Sequence, residues 1–600
     1  MHQYRALRRG LALARLHATA PDRSRSQTHA RVWLTLALAL FPVARAAGQI
    51  LSPAEATGQE LLREQERTRV LRQQQERSPD VRLPLAAGTV ESTLLRFDES
   101  PCFSIHRIVL EGEGAAQFQW ALAAANQAGA GRADSPIGHC LGTAAIDLLL
   151  RRVQNAILDR GYITTRVLVG SQNLSAGTLA FTLIPGRVRA IRALPGSGRR
   201  ATLWNAVPAA PGKLLNLRDV EQALENLKRV PTAQADIQII PAEAADAGPG
   251  ESDLGIQWNQ NFPLRVSLSV DDSGSAATGH YQGGVTVSYD HLLALNDLFY
   301  LSLNHDLDRA AGEHGTRGGT IHYSLPFGYW LLGATASAST YRQTVAGANQ
   351  TYLYSGDSQN GGVTLSRVVY RDATRKSIVS LRGWVRASRN FVDDTEVEVQ
   401  HRRMAGWEIG VEQRELIGAA TLEVRLNYRH GSGALKAERA PEEVFGEGTS
   451  RFALLALDGN ASVPFALAGQ RLRYYGSWRM QYNHTPLIAQ DRFAIGGRYT
   501  VRGFDGDNSL IAERGWLLRN EVSAALGASG HEVYVGLDHG AVDGPSSVTL
   551  AGTHLTGAVL GLRGQFKQFQ YEVFGGAPLR KPAFFRSASR TAGFSLSLNF

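Results

Sequence analysis

Arg502 and Asp538 are the two residues of this 600-residue sequence whose types and setting best suit a specific charged contact. Arg502 lies in the polar stretch Arg498–Asp507 (RYTVRGFDGD), within a tetrapeptide formed by Val501, Arg502, Gly503 and Phe504. A guanidinium can bind a carboxylate through two parallel hydrogen bonds, and a glycine next to it permits a tight tip. The alternative interpretation is an exposed external loop whose charges are solvated.

Asp538 lies in a segment that reads as a strand, Glu532–Gly540 (EVYVGLDHG). Side chains alternate between the two faces of a strand, so one face carries Tyr534, Gly536, Asp538 and Gly540. The glycines leave room for another backbone to approach closely. If the loop 496–515 folds back over this face of the strand, Arg502 can therefore reach Asp538, and Phe504 can pack against the surface that the strand helps to form.

Motifs for enzymatic chemistry are missing from the sequence. We find no G-x-S-x-G nucleophile elbow and no Walker A sequence, and His531-Glu532 begins an H-E-x-x-H pattern that Val535 breaks. We therefore predict no catalytic residues, no metal, no cofactor and no enzymatic activity. An enzyme that lacks these motifs is the alternative.

The positive charge of the chain is concentrated at its beginning. Residues 1–46 contain eight arginines and one aspartate, which account for seven of the nine net positive charges. The remainder gives no reason to expect a nucleic-acid partner. An apolar run, Val32–Val43, followed by Ala44-Arg45-Ala46 predicts a signal peptide over 1–46, either of an extended type or with a start placed too far upstream. A short N-terminal anchor is the alternative.

Alternating segments fill the chain from residue 263 to residue 600. Their length is close to the 9–11 residues that a tilted strand needs to cross a membrane, and a soluble sandwich is the alternative. We predict a closed transmembrane antiparallel β-barrel of about 16 strands, which start near residues 264, 280, 297, 316, 330, 361, 377, 404, 418, 451, 470, 513, 532, 553, 567 and 592. The last segment is amphipathic and ends in Phe600. It resembles the terminal strand of outer-membrane proteins, which their assembly machinery reads, and an ordinary sheet strand at the terminus is the alternative.

Two shorter mixed units precede the barrel, at 100–186 and 187–262. Each combines short strands with an amphipathic helix, such as Thr143–Asp159, and the economical interpretation is two β-α-α-β-β repeats whose exposed sheet edges can accept an added strand. The only two cysteines, Cys102 and Cys140, lie in the first unit. In an exported chain we expect them to form a disulfide, and a metal or redox site is the alternative.

A polar helix is predicted within 47–80, ahead of a linker at 81–99. Glu60 can pair with Arg63 and Glu66 with Arg69 on its surface. Because it is polar nearly all round, it cannot be an ordinary core helix. It is either a solvated linker or a helix that lies in a water-filled lumen.

Eight stretches of the chain together resemble the two-partner secretion transporters, the TpsB branch of the Omp85 superfamily. The resemblance covers nearly the whole mature chain. It rests on PCFSI (101–105), CLG (140–142), RGYITTRV (160–167), GTLAFTLIPGRV (177–188), NLRDVEQALENLKRVPTAQADIQIIPA (216–242), PGESDL (249–254), VRGF (501–504) and GLDHG (536–540). The insertase branch of the superfamily shares the barrel motifs and is the alternative, although it usually has more POTRA repeats and no plug helix.

The resemblance implies two α+β POTRA domains in the periplasm, a sixteen-stranded barrel and an N-terminal plug helix inside its pore. It places the protein in the outer membrane of a Gram-negative bacterium as a monomeric pore in the lipid bilayer. The implied cargo is one large β-helical exoprotein (a haemolysin, an adhesin or a contact-dependent toxin), which the POTRA domains bind through its N-terminal secretion domain. The outer-membrane assembly machinery is the expected partner during biogenesis.

Overall fold

The structure is a computed structural model that describes residues 53–76, 79–84, 94–126, 128–129, 132–242, 247–308, 314–347 and 349–600. The predicted signal peptide at 1–46 lies outside the described residues. A helix, α1 (Pro53–Gln75), opens the described chain. No helix in the described ranges is long and apolar enough to cross a membrane.

The first mixed unit surrounds one helix, α2 (Thr143–Asp159). Its strands are β1 (Phe103–Ile105), β2 (Arg107–Glu111), β3 (Ala128–Gly129), β4 (Arg132–Ala133), β5 (His139–Leu141), β6 (Arg166–Leu168) and β7 (Thr178–Ile184). The sheet order is β2-β7-β6, with β2 parallel and β6 antiparallel to β7. The apolar face of α2 packs on this sheet and buries Leu149, Val153 and Ile157. Glu99 of the preceding segment accepts from the backbone N–H groups of Ala144 and Ala145, at 2.9 Å each, and so caps the helix.

The second unit repeats the same topology with different connections. Its elements are β8 (Arg187–Ala193), α3 (Leu217–Leu227), β9 (Ala233–Pro241) and β10 (Glu251–Gln260). The sheet order β8-β10-β9 again places a parallel and an antiparallel neighbour on either side of the last strand. Asn216 caps α3 by accepting from the Arg218 N–H at 2.8 Å.

The prediction of two helices is confirmed in the first unit, with a difference in helix type, and is wrong in the second unit. In the first unit the first helical segment is a 3₁₀ helix, Ala115–Asn126. In the second unit the segment 194–216, all of which the structure describes, contains turns and no helix. Glycines and prolines in this segment, such as Gly196 and Pro208, interrupt the hydrogen-bond ladder of a helix.

The strands from Leu264 onwards form the largest part of the fold. They are β11 (Leu264–Asp271), β12 (Gln282–Asp290), β13 (Leu298–Asp306), β14 (Gly315–Phe327), β15 (Trp330–Ala346), β16 (Thr351–Arg371), β17 (Arg375–Val392), β18 (Thr395–Glu396), β19 (Arg402–Ile417), β20 (Ala420–Ser432), β21 (Ala453–Leu467), β22 (Gln470–Asn483), β23 (Phe493–Ile495), β24 (Leu510–Ala512), β25 (Arg514–Ala525), β26 (His531–Asp543), β27 (His554–Phe566), β28 (Phe569–Arg580) and β29 (Thr591–Asn599). Five short 3₁₀ segments accompany the strands and helices: Leu174–Ala176, Glu398–Gln400, Pro441–Phe445, Ala489–Asp491 and Pro545–Thr549.

Sixteen of these strands close an antiparallel barrel, as the alternation predicts. The two-residue β18 only extends the hairpin of β17, and β23 pairs with β24 in a separate ribbon. The barrel closes where β11 pairs with β29. Most predicted starts lie within three residues of the observed ones. The exception is β16, which begins at Thr351 and not near 361, because its polar first half continues the ladder with β15 as far as Ala346.

Residues 79–84, which come after α1, are bound at the end of the barrel that carries the two units. The Val81 and Leu83 N–H groups donate to Glu225 and Glu221 of α3, at 3.0 and 2.9 Å. The same two carboxylates accept from Arg371 at the end of β16, at 2.9 and 3.0 Å. These buried ion pairs fix the second unit, the linker and the barrel in one arrangement.

Removing the disulfide of the first unit should destabilise that unit alone. Cys102 and Cys140 are bonded, close a separation of 38 residues and sit beside the β1–β5 ladder. In the chain-entropy model a loop of this size contributes on the order of 4 kcal/mol. We expect a Cys102→Ser, Cys140→Ser variant to show an earlier thermal transition of the first unit in differential scanning calorimetry. The heat-modifiable migration of the barrel should stay that of the wild type, and an unchanged first transition would contradict a stabilising role.

Candidate functional site

The segment between β22 and β25 folds back into the barrel and brings Arg502 to Asp538. The Arg502 Nε donates to Asp538 Oδ2 at 2.7 Å and its Nη2 donates to Oδ1 at 3.0 Å. The backbone N–H of Arg502 also donates to Oδ2, at 3.0 Å. This is a bidentate guanidinium–carboxylate contact with a third, main-chain bond, and both side chains are buried.

A second carboxylate, Glu521 of β25, completes the contact. The Arg502 Nη1 donates to Glu521 Oε2 at 2.8 Å, and Arg563 of β27 lies 2.7 Å from the other oxygen of Glu521. Burial lowers the pKa of the Arg502 guanidinium, but its bonds to Asp538 and Glu521 outweigh that effect and raise its pKa. Arg502 therefore binds two buried carboxylates at once, and Arg563 and Arg519, which is 3.7 Å from Asp538, add positive charge beside them.

Sequence reasoning missed Glu521, although its strand carried the signal. Along β25 the buried positions alternate, and Leu517, Glu521 and Ser523 point to the interior while Trp516 is exposed. Glu521 and Asp538 are on adjacent strands, and the register pairs Glu521 with Gly536. Applying the alternation to β25 as well as to β26 would have identified the second inward carboxylate.

Glycines let the loop approach the wall this closely. Gly503 has φ +91°, and a β-carbon there would lie 2.6 Å from the Ala577 carbonyl oxygen. On the wall, a β-carbon at Gly536 would lie 2.6 Å from Arg502 Nη2, and one at Gly540 would lie 2.9 Å from Val501. The sequence predicted this use of glycine from the spacing around Asp538.

Apolar contacts surround the charged centre. Val501 is fully buried, and Phe504 packs edge-on against Phe585 of the loop that follows β28, with 5.8 Å between ring centroids. Val501 and Phe504 share one cluster with residues of the β23–β24 ribbon, Phe493, Ile495, Leu510 and Ala512. The loop that carries Arg502 thus has a small core of its own inside the barrel, which excludes water from the ion pairs.

Helix α1 lies beside this loop, inside the barrel. Arg63 donates to the Gly506 carbonyl at 2.7 Å, and Gln65 donates to the Gln490 carbonyl at 3.3 Å. Glu60 pairs with Arg63 at 2.6 Å, as predicted. Helix and loop therefore touch each other as well as the wall.

The predicted pairing of Glu66 with Arg69 is replaced by contacts to the barrel. Glu66 accepts from Arg479 of β22, and Arg69 donates to Asp458 of β21 at 2.5 Å. The charged side chains of the helix bind opposite charges on the inner face of the barrel in preference to each other. These contacts are stronger because both side chains of each pair are partly removed from water. This explains how a helix that is polar nearly all round can be packed rather than solvated.

The other predicted site residues are distributed elsewhere. Phe600 ends the chain at the barrel seam, where its N–H donates to the Val266 carbonyl at 2.9 Å. Its recognition by an assembly machinery stays a prediction. In the described part of the chain, no three or more His, Cys, Asp or Glu side chains are placed to hold a metal ion.

Replacing Gly503 by alanine should displace the loop. The new β-carbon would collide with the Ala577 carbonyl oxygen, and the positive φ would add strain. We expect Gly503→Ala to expose the arginines of the loop to trypsin added to intact cells.

Gly497→Ala is the matched control, because a β-carbon there meets only the α-carbon of Gly506 at 3.7 Å and the backbone has no positive φ. Equal trypsin resistance of the two variants would contradict the close approach at Gly503.

Three family models match the chain over the regions just described. Residues 250–564 match the haemolysin secretion/activation protein ShlB/FhaC/HecB family, residues 103–186 match the ShlB-type POTRA domain, and residues 187–241 match a POTRA domain. The first match covers more than half of the chain.

Curated relatives agree with these matches. The outer membrane transporter CdiB-2 of Burkholderia pseudomallei is 37% identical over 513 residues, 84% of this chain and 87% of the relative. The hemolysin transporter protein ShlB of Serratia marcescens is 25% identical over 407 residues, 67% of this chain and 71% of the relative. Both are named as transporters, and the family consists of secretion pores and not of enzymes.

Solved structures share the whole architecture. CdiB from Acinetobacter baumannii is 30% identical, with a TM-score of 0.79 over 92% of this chain and 100% of the other. CdiB from Escherichia coli is 25% identical, with a TM-score of 0.76 over the same shares. The closed sixteen-stranded barrel, the two POTRA domains before it and the helix before those domains place this chain in the outer membrane, with its POTRA domains in the periplasm. The chain belongs to the ShlB/FhaC/HecB family, the TpsB transporters of two-partner secretion in the Omp85 superfamily.

Proposed function

We propose that this transporter recognises one large β-helical exoprotein in the periplasm and passes it through the barrel to the cell surface. The observation that carries the proposal is the way the lumen is filled. Two segments of the chain itself, α1 and the loop bearing Arg502, occupy the barrel and contact its wall through ion pairs and polar groups. A lumen lined for charged, hydrated contacts suits the passage of an unfolded polar chain once these segments move.

We expect a very large exported β-helical protein to be encoded beside this gene, and co-expression with it tests the proposal directly. We expect the exoprotein at the cell surface when the transporter is present and in the periplasm when it is absent. Equal surface amounts in both strains would overturn the proposal.

The POTRA domains supply the recognition site in this proposal. In the second domain the outer edge of β8 is already bonded: the Gly212 N–H donates to the Val188 carbonyl at 2.7 Å and the Val188 N–H donates to the Lys213 carbonyl at 2.9 Å. Among the residues that the structure describes, no strand pairs with the outer edge of β9. An extended segment of the cargo's secretion domain can add to β9 as a further strand.

A photo-crosslinker at Gln238, which is exposed on β9, should capture the secretion domain. The same group at Lys213, exposed beside the covered edge of β8, is the control and should capture little. Equal capture from both positions, measured by mass spectrometry of the crosslinked product, would rule out addition at β9.

Loss of Arg502 should stop secretion while the barrel still inserts. Arg502→Ala removes the bidentate partner of the buried Asp538 and leaves Glu521 with Arg563 alone, which costs about 2–5 kcal/mol in the loop conformation. We expect secretion to fall to near background, measured as surface exoprotein per heat-modifiable barrel.

Arg514→Ala is the matched control for Arg502→Ala, since Arg514 pairs with the exposed Asp543 at 2.9 Å. Arg502→Lys should give an intermediate result, because lysine keeps the charge but not the bidentate geometry. Wild-type export by a stable Arg502→Ala protein would show that the contact has no role in secretion.

Passage of the cargo requires α1 to leave the lumen. A disulfide between Gly58→Cys of α1 and Ala489→Cys should hold the helix against the segment that follows β22, because a β-carbon at Gly58 would lie 3.5 Å from that of Ala489. We expect the oxidised double variant to block secretion and a reductant to restore it.

The two single variants, under the same oxidant, control for the effect of each substitution itself. Full secretion by the oxidised, crosslinked protein would mean that the cargo does not need the space α1 occupies.

A further inference from the structure

The barrel closes at a short seam. Ser267–Asp271 of β11 pairs with Ser595–Asn599 of β29, five residues on each strand, whereas the neighbouring ladder between β28 and β29 spans eight. At the periplasmic end, Val266 and Phe600 exchange two main-chain hydrogen bonds of 3.2 and 2.9 Å. The extracellular end has no such main-chain pair beyond Asp271 and Ser595 in the described residues.

Side chains take over where the seam ladder stops. The Asp272 carboxylate, one residue past β11, accepts from the Phe594 N–H of β29 at 2.9 Å. Arg498 donates from Nη1 to the Phe594 carbonyl at 2.7 Å, and the same nitrogen donates to Asp272. One guanidinium therefore touches the first strand's end and the last strand together.

The surroundings of Arg498 hold it in this position. Its guanidinium lies over the Phe574 ring of β28, 5.3 Å from the centroid, and Glu572 of the same strand is 3.9 Å away. Its side chain is 17% exposed and that of Asp272 is 9% exposed, so water competes weakly for these bonds.

We propose that Arg498 is a positioning residue that pins the extracellular end of the seam, so that barrel closure depends on where the inward loop lies. Arg498 comes from the same loop as Arg502, four residues earlier, yet the two arginines bind different parts of the barrel. Arg498 binds the end of β11 and β29, whereas Arg502 binds β25 and β26. Movement of the loop then withdraws a charge-assisted bond from the seam. Seam closure is a property of the barrel and does not depend on which cargo it carries.

Two further contacts tie the first hairpin to the lumen contents. The Ala276 N–H, in the turn after β11, donates to Asp507 of the same loop at 3.0 Å. Thr278 of that turn donates to Glu60 of α1 at 2.9 Å. The loop and the helix thus both hold the hairpin that forms one side of the seam, and Arg498 binds the two sides together.

Hydrogen exchange of the purified full-length protein tests this role. We expect Arg498→Ala to speed exchange in the segments 264–273 and 591–600 by about tenfold, because a bond to a charged group contributes about that factor to local opening. The segments 514–525 and 531–543 carry Glu521 and Asp538, the two partners of Arg502, and they should exchange as in the wild type. Arg514→Ala, in the same loop region but bonded to Asp543, should leave the seam unchanged.

A second variant decides the matter if Arg498→Ala does not assemble a heat-modifiable barrel. Asp272→Asn keeps an oxygen for the Phe594 N–H but removes the charge that Arg498 binds, and it should speed exchange in the same two segments. Unchanged exchange at the seam in the assembled variant would overturn the proposal. So would an equally large increase in seam exchange in Arg514→Ala, or an equally large increase in exchange in the segments 514–525 and 531–543.

A seam disulfide separates positioning from a general effect on folding. Ser269 and Ser597 are register partners across the seam. In the Arg498→Ala background, a disulfide between Ser269→Cys and Ser597→Cys should restore slow exchange at the seam. Continued rapid exchange in the oxidised triple variant would mean that Arg498 does not act through seam closure.

Discussion

The contact of Arg502 with Asp538 and Glu521 is the constraint on which the rest of the lumen depends. Two carboxylates on adjacent strands point into the barrel, and one guanidinium from a loop satisfies both. A buried carboxylate without a cation is costly, so the loop cannot leave without another group or water taking its place. The same loop contacts α1 and the seam, which means that its position affects both.

Electrostatic contacts of the same kind connect the lumen to the periplasm. Glu221 and Glu225 of the second POTRA domain bind the linker's backbone and Arg371 of the barrel at once. The linker, the second POTRA domain and the barrel therefore share one set of ion pairs and hydrogen bonds at the periplasmic face. Arg371, Glu221 and Glu225 are all buried, so breaking one of these pairs is costly unless water or another group takes the place of the lost partner.

Alternation of side chains predicted the barrel because membrane-spanning strands bury one face and expose the other to lipid. The same rule placed Asp538 inward, and the apolar stripe of α2 gave its bounds, Thr143–Asp159. It failed at β16, whose first ten residues pair along β15 without an apolar face, and in 194–216, where a repeat was assumed but turns occur. The partners of Glu66, Arg69 and Arg498 could not be predicted, since they depend on tertiary packing between residues hundreds of positions apart.

Thiol labelling of the loop in intact cells tests the central claim most directly. Val501 is fully buried beside Arg502, and the two native cysteines are paired in a disulfide, so Val501→Cys introduces one similar-sized, specific probe. With Asp538 intact, a membrane-impermeant maleimide should leave this cysteine unlabelled, and adding Asp538→Asn should make it reactive. Rapid labelling of Val501→Cys with Asp538 intact would contradict a loop held inside the barrel by this contact.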